Sequence, residues 1–444
     1  MITIDRCYDS HLHLYYTGQI ANSLDLSLLK SLNDLQSLKI EKKFFRQNWL
    51  YGFGWDQYKM GLTDFPQKQD LDKYFPDYPV AFSRADGHCV WLNSKAMDLV
   101  KNNMDLSKNI PGGVISRNEK GEPTGVFLDN AKLEVDKFIP EYTVQQNLNF
   151  IKDGIKIFNH EGFTHLREMT CHKEYFETLL DLEQKKDLTA YIETQFVVDN
   201  IHQVQKVIDQ IKLLKKNSSK KLKILGLKIF FDGSLGSSTA LISQNYEQEN
   251  QSGLQLWSER HFVEAVLMAW QQNLNVSVHT IGNLAISRVL KLVQSLLEKE
   301  IYGNLDLEHC EVMNLDDIHL MNRLNRALSK KKCSIRIHFQ PSHFLSDKIW
   351  LKQKLNNLAD SAFRWSDVEK NHITFFFGSD SPIEKPSLRA TLKALSEAEK
   401  FGIPNVKKTW TTYHQHPDPN WGPGCYTLLG QDKIQTFFDN EKII

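Results

Sequence analysis

The sequence predicts an α/β fold built on a parallel sheet, and two observations lead there. Short apolar strands rich in β-branched and aromatic residues recur along the chain, each followed by a longer amphipathic stretch, which is the rhythm of βα units. Several of these strands end in a polar residue followed by Gly, Ser or Pro, where a buried strand gives way to a loop. The 444 residues allow two or three ordinary domains, or equally a single α/β barrel with insertions.

Taken in order, ITIDRCYDSHLHL opens with strand character, and LKILGLKIFF, NLNVSVHT, NLDLEHC, CSIRIHFQP and ITFFFGSD are later strands. Between them, residues 142–160 set Leu148, Ile151, Ile155 and Phe158 at helical spacing, ending before Gly162. Residues 283–298 do the same with Ile286, Val289, Leu290 and Val293, and residues 258–272, 315–329 and 388–401 follow suit. Two stretches break the alternation. Residues 45–135, dense in Trp, Tyr, Phe, Asp and Gly, are expected to be an insertion after the first strand that lines a pocket. Residues 403–444 are expected to be a tail with a short strand or hairpin. The barrel proper then takes residues 1–44 and 136–402.

Lys plus Arg and Asp plus Glu each number 54, so charge gives no reason to expect a nucleic-acid or anionic-membrane partner. Hydrophobic residues make up 41% of the chain, enough for a large core. The start shows no secretory pattern, and no apolar run reaches the roughly 18–20 residues of a membrane-spanning helix. The six cysteines (Cys7, Cys89, Cys171, Cys310, Cys333 and Cys425) are scattered without a C-x-x-C pair, which predicts reduced thiols and a cytoplasmic location.

Five signals carry chemistry. His11 and His13 form an H-x-H at a strand end, where residues i and i+2 face one side and imidazole suits zinc. Lys228 sits inside an apolar run. It lies on a solvated face, pairs with a carboxylate such as Asp232, or serves inside the barrel as a CO₂-modified, anionic metal ligand. His279 and His309 end consecutive strands, where barrel enzymes assemble their sites; the bland alternative is a pair of core histidines. Asp380 in FFFGSDSP is either a turn aspartate or a ligand that also accepts a proton from attacking water.

The order H-x-H, Lys, His, His, Asp resembles the binuclear amidohydrolase superfamily, whose ligands come from strands one, four, five, six and eight of a (β/α)₈ TIM barrel. Residues 163–168 and 189–196 then serve as strands two and three, and residues 334–341 as strand seven. The segments DSHLHL, GFGWDQ, RADGHCVWLNSKAM, GEPTGVFLDNA, KIFFDGSLGSSTALIS, VHTIGN, LEHCEV and GSDSP are similar to amidohydrolase family 3, the branch that includes N-substituted formamide deformylase. Three features depart from that branch. His11 lies so near the start that the usual β-sandwich is expected to be missing or reduced to the IQTFFDNEKII tail. Gly282-Asn283 stands where Gly-Asp is usual. Arg6-Cys7-Tyr8 replaces a Pro-Gly.

The resemblance implies one or two divalent metal ions, most plausibly zinc, held by His11, His13, Lys228, His279, His309 and Asp380. It implies hydrolysis of a C–N bond in an amide, formamide or cyclic amide by a metal-activated hydroxide, with Asp380 as the proton acceptor. Trp55, Asp56, Arg84, Asp86 and His88 in the insertion, with Gln340, are the expected substrate contacts, and Gln340 and His343 in FQPSH at the strand-seven mouth are also candidates to support the ligands from behind; plain packing is the alternative for Trp55 and Trp91. The expected partner is a small-molecule substrate, with no nucleic acid and no membrane; a homodimer is left open. Two alternatives stand beside this reading: a mononuclear deaminase that does without the bridging lysine, and a degenerate barrel that only binds.

Overall fold

A computed structural model of the chain describes all residues except 86, 109, 111–112, 218, 248–249 and 405–409; Asp86 therefore lies outside the described residues. Two compact units emerge, one made of residues 1–14 and 155–444, the other of residues 15–154.

The first unit is the barrel. Its eight strands are Tyr8–Leu12, His165–Cys171, Tyr191–Val197, Leu222–Phe230, Asn275–Thr280, Leu305–His309, Ile335–Phe339 and Phe375–Phe377, joined in that order by parallel pairing. The expected strands two, three and seven are all present. Just past the last strand, the Asp380 amide donates to the His11 carbonyl at 2.7 Å and the His13 amide to the Ser381 carbonyl at 2.8 Å. These two bonds draw strand eight against strand one. Gly378 makes the approach feasible, because a Cβ there would stand 2.5 Å from the His11 nitrogen.

Strand register decides what faces inward. Lys228, Ser277, Asp306 and Arg336 lie side by side in one layer, and Phe230, His279, Glu308 and His338 in the next. The alternate residues Ile229, Val278, Leu307 and Ile337 are fully buried and face the helical shell. That shell includes Ile201–Leu214, Glu259–Trp270, Asn283–Glu298, Leu315–Ser329 and Leu388–Lys400, close to the helices read from periodicity. Asn200, Ser258 and Ser387 cap three of them by accepting a backbone N–H.

The small sheet of this unit pairs Ile2–Asp5, Tyr426–Leu429, Ile434–Phe438 and Glu441–Lys442, all antiparallel. This single sheet takes in the first strand of the chain as well as the IQTFFDNEKII tail. Thr436 Oγ1 donates to the Asn159 carbonyl at 2.6 Å, and Thr427 Oγ1 donates to the Gly162 carbonyl. Gly162 itself has φ +100, and a Cβ there would meet Thr427 Cγ2 at 2.7 Å.

The second unit, residues 15–154, is built on a mixed sheet centred on Trp49–Trp55, Val80–Arg84, Cys89–Leu92 and Pro123–Asp129. Successive residues enter opposite cores: Phe82, Trp91 and Val126 on one side, Ala81, Val90 and Phe127 on the other. Both faces are covered, which accounts for the aromatic density of this stretch.

The C-terminal segment is tied to the barrel by His414. Its Nδ1–H donates to the Tyr8 carbonyl at 3.0 Å, and burial pushes its pKa down to about 4. A depressed histidine pKa stabilises the fold fully above about 6.5, and that stability is lost as pH falls toward 4. The stability advantage of the wild type over His414→Asn is therefore expected to shrink as pH is lowered from 6.5 to 4.5 in thermal melts. A difference independent of pH contradicts the assignment.

Candidate metal centre

The chemistry-bearing side chains gather where the strands end. His11, His13, His279, His309 and Asp380 all line one cavity of about 390 Å³, together with Glu311, His343 and Asp347. The His309 ring lies 4.6 Å from that of His11 and 4.4 Å from that of His279, centroid to centroid. Lys228 is fully buried in the layer beneath His279. The solvated-face alternative for it therefore fails. Asp232 is not hydrogen-bonded to it either, since that carboxylate accepts from the Leu241, Ile281 and Gly282 amides at 2.9–3.0 Å.

Backbone conformation supplies part of the aim. Glu308 and His309 are neighbours in one strand, yet both approach His11, which strict strand alternation forbids. His309 has φ +70 and Cys310 φ +49, so the chain turns at that point. Asp380 likewise has φ +58, a region that Asp tolerates better than most residues. Such conformations cost on the order of 1–3 kcal/mol each and cluster at functional sites.

Hydrogen bonds beneath the cavity set the histidine tautomers. His11 Nδ1 lies 2.6 Å from Glu308 Oε2. Burial acts to raise the Glu308 pKa, but Arg167, His338 and His11 outweigh it and hold the carboxyl well below its usual range. An ionised Glu308 only accepts, so Nδ1 of His11 carries the proton. Thr170 spends its hydroxyl proton on Glu168 at 2.7 Å, so at 3.2 Å it accepts from His13 Nδ1–H. The lone-pair nitrogens of both rings then face the same carboxylate oxygen, with His11 Nε2 at 3.3 Å and His13 Nε2 at 3.0 Å from Asp380 Oδ1. Two lone pairs and a carboxylate oxygen repel unless a cation lies among them.

Other atoms tell the same story. Lys228 Nζ, His309 Nδ1, His343 Nε2 and Asp380 Oδ1 are buried without a hydrogen-bond partner, a state that destabilises a protein unless something else satisfies the group. His11, His309 and Asp380 present ligand atoms within 4.8 Å of one another, as do His309, Glu311 and His343. Nitrogen and carboxylate donors of this kind suit zinc and similar ions. Burial depresses the Lys228 pKa to about 8, while Glu308 and Asp380 counteract part of the shift. His279 Nε2–H donates to the Gly233 carbonyl at 3.0 Å, leaving Nδ1 as its lone-pair nitrogen.

The remaining expected contacts have partners within their own unit. Gln340 is buried and donates to the His338 carbonyl at 2.8 Å; it is not among the described residues that line the cavity. In the second unit, Trp55 is fully buried in an aromatic core and its indole N–H donates to the Phe82 carbonyl at 2.8 Å. Asp56 accepts from the Tyr58 amide at 2.8 Å and so closes a turn. Arg84 Nε donates to Gln57 at 2.8 Å, and His88 Nδ1 lies 3.1 Å from Asp129. Asn283, standing where Gly-Asp is usual, ties loops together through Ser243 and Asn314.

Sequence reasoning passed over Glu308 and its partner Arg167. Arg167 is buried and donates to Glu308 at 2.9 Å, Asp306 at 2.9 Å, Ser277 at 2.6 Å and the Ser10 carbonyl at 3.0 Å. The signal was available: Asp306 and Glu308 sit at i and i+2 in an otherwise apolar strand, which demands a buried cation opposite. Glu308→Gln is expected to weaken binding of divalent metal about 10–100-fold, read by chelator competition, because a carboxylate bonded to a ligating imidazole fixes the ring's orientation. Unchanged affinity contradicts the role.

Comparison with known proteins follows the same line. The amidohydrolase family model matches residues 8–395. The chain is 30% identical to YtcJ of Bacillus subtilis over 387 residues, covering 85% of this chain and 69% of that protein. It is 24% identical to LONG AFTER FAR-RED 3 of Arabidopsis thaliana, covering 86% of this chain and 66% of that protein. A solved structure of an uncharacterized metal-dependent hydrolase from Pyrococcus furiosus superposes with a TM-score of 0.69 at 28% identity, over 88% of this chain and 76% of that one. A counterpart from Pyrococcus horikoshii gives 0.70 at 24% identity, over 91% and 76%, and adds support for the fold.

Proposed function

The chain belongs to the amidohydrolase family, and on that premise we propose that it hydrolyses a C–N bond of a small amide, formamide or cyclic amide with the help of divalent metal, most plausibly zinc. The observation that carries this reading is the convergence of the His11 and His13 lone pairs on Asp380 Oδ1, with His309 and His279 alongside.

His11, His13 and Asp380 would hold metal on one side of the cavity, and His279 with His309 on the other. Lys228 supports a binuclear over a mononuclear arrangement. With its pKa at about 8, part of the amine is neutral near pH 7 and able to attack CO₂. With its protons released to solvent, Lys228 would become a carbamate, an anion in place of a buried cation and able to serve as a metal ligand. When bound, a divalent ion polarises the scissile carbonyl and lowers the pKa of water from 15.7 toward roughly 7.

The chain's own groups do the rest. Asp380 takes a proton from the attacking water on a carboxylate oxygen and returns it to the leaving nitrogen as the C–N bond breaks. Asp380 acts as a carboxylate, its Oδ1 facing the His11 and His13 nitrogens at 3.3 and 3.0 Å. Phe230, Leu235, Ile281 and Ile383 supply an apolar wall that excludes bulk water from the reacting bond. Most of the cysteines are buried, which fits a reducing compartment such as the cytoplasm. Among the described residues no helix is long and apolar enough to cross a membrane.

Purified protein is expected to carry one to two equivalents of divalent metal by elemental analysis. Asp380→Asn is expected to slow hydrolysis of a responsive N-acyl or N-formyl amide about 10²–10⁴-fold, and His279→Ala to abolish it, with the circular dichroism of both variants unchanged. Full activity in either variant sinks the scheme. Faster recovery of activity when bicarbonate accompanies metal reconstitution supports carboxylation of Lys228.

A further inference from the structure

Between Phe230 and the helix that begins at Glu259 the chain runs without helix or strand among its described residues, and part of that loop forms a wall of the cavity. Ser234, Leu235 and Gly236 line the cavity, and the preceding Gly233 carbonyl holds the His279 ring at 3.0 Å. The turn is tight, with the Ser238 amide bonded to the Leu235 carbonyl at 3.0 Å and Ser238 itself at φ +58. A loop this irregular beside a ligating imidazole is a weak point of the site unless something pins it.

We propose that Lys354 is the pin, a positioning residue that clamps this loop and thereby sets the cavity wall. Lys354 belongs to the short helix Leu351–Leu355, after strand seven. Its ammonium donates to the Leu235 carbonyl at 3.1 Å, the Gly236 carbonyl at 2.5 Å and Ser238 Oγ at 3.1 Å. One ammonium thus meets three acceptors of one turn. Backbone bonds extend the seam: the Glu247 amide donates to the Lys354 carbonyl at 3.0 Å, and Gln244 donates to the Leu355 carbonyl at 2.8 Å.

The segment that carries Lys354 also carries His343 and Asp347, which line the same cavity. Lys354 therefore couples two walls of one pocket, the His279 side and the His343 side, without touching the cluster of ligand atoms. Binding of substrate feels such a clamp more than the chemical step does, because Ser234, Leu235 and Gly236 line the cavity while the bonds of Lys354 to this turn reach none of the ligand atoms.

The inference rests on the hydrolase reading for its kinetic arm and stands apart from it in its structural arm. Lys354→Met keeps the aliphatic stem and removes the charge. In this variant amide hydrogen exchange within residues 233–239 is expected to accelerate about 10-fold, with melting temperature and metal content close to wild type. For a hydrolysed amide, KM is expected to rise about 10-fold while kcat changes less than about 3-fold, and Lys354→Arg is expected to restore most of the loss. Unchanged exchange in residues 233–239, or acceleration spread evenly over the chain, overturns the clamp. If wild type hydrolyses no amide, the function reading fails and the exchange arm still decides the role of Lys354.

Discussion

The site depends on one buried contact, the Glu308 carboxylate gripping His11 from beneath. Arg167 fixes Glu308 at 2.9 Å, and Glu308 fixes the His11 proton on Nδ1 at 2.6 Å. The other ring nitrogen is thereby committed to the cavity. Breaking one side of a buried ion pair is destabilising by about 3–5 kcal/mol, so this part of the barrel has little freedom to relax. Asp306, one layer further down, accepts from Arg167 and from Arg336 at 2.7–3.0 Å. A charged stratum thus lies directly under a ring of ligand atoms and holds them while they repel one another.

That repulsion is the chemically informative feature. A protein that places two imidazole lone pairs and a carboxylate oxygen within 3.3 Å has spent stability on the arrangement. The left-handed backbone at His309, Cys310 and Asp380 adds to the strain, as does a buried lysine amine with no hydrogen-bond partner. These stresses coincide at the C-terminal ends of the barrel strands, where this architecture assembles its chemistry. The bonds that draw strand eight against strand one run through the backbone of His11, His13, Asp380 and Ser381, so closing the sheet and building the site are the same event.

Much of this was readable from the sequence. Parallel strands have a simple signature, a short apolar run ending in a polar residue, and helix periodicity located the outer shell to within a few residues. The convergence of His11, His13, His279, His309 and Asp380 followed because each ends its strand. Their supports were harder to see. Glu308 and Arg167 depend on the register between strands far apart in the chain, which composition does not encode. Gly233 and Lys354 act through an irregular loop with no periodic pattern. Trp55 shows the opposite difficulty: an aromatic residue in a dense polar stretch suggests a binding wall, yet burial on both faces of the second unit's sheet committed the ring to packing.

Whether a cation belongs among the converging lone pairs can be asked of the molecule directly. Crystals of the protein as purified, measured on either side of the zinc absorption edge, are the decisive test. Anomalous density in the cavity, within bonding distance of His11, His13 and Asp380, is the predicted result. A cavity free of anomalous signal in protein that elemental analysis shows to be metal-loaded, with the ion bound elsewhere on the surface, would contradict the account.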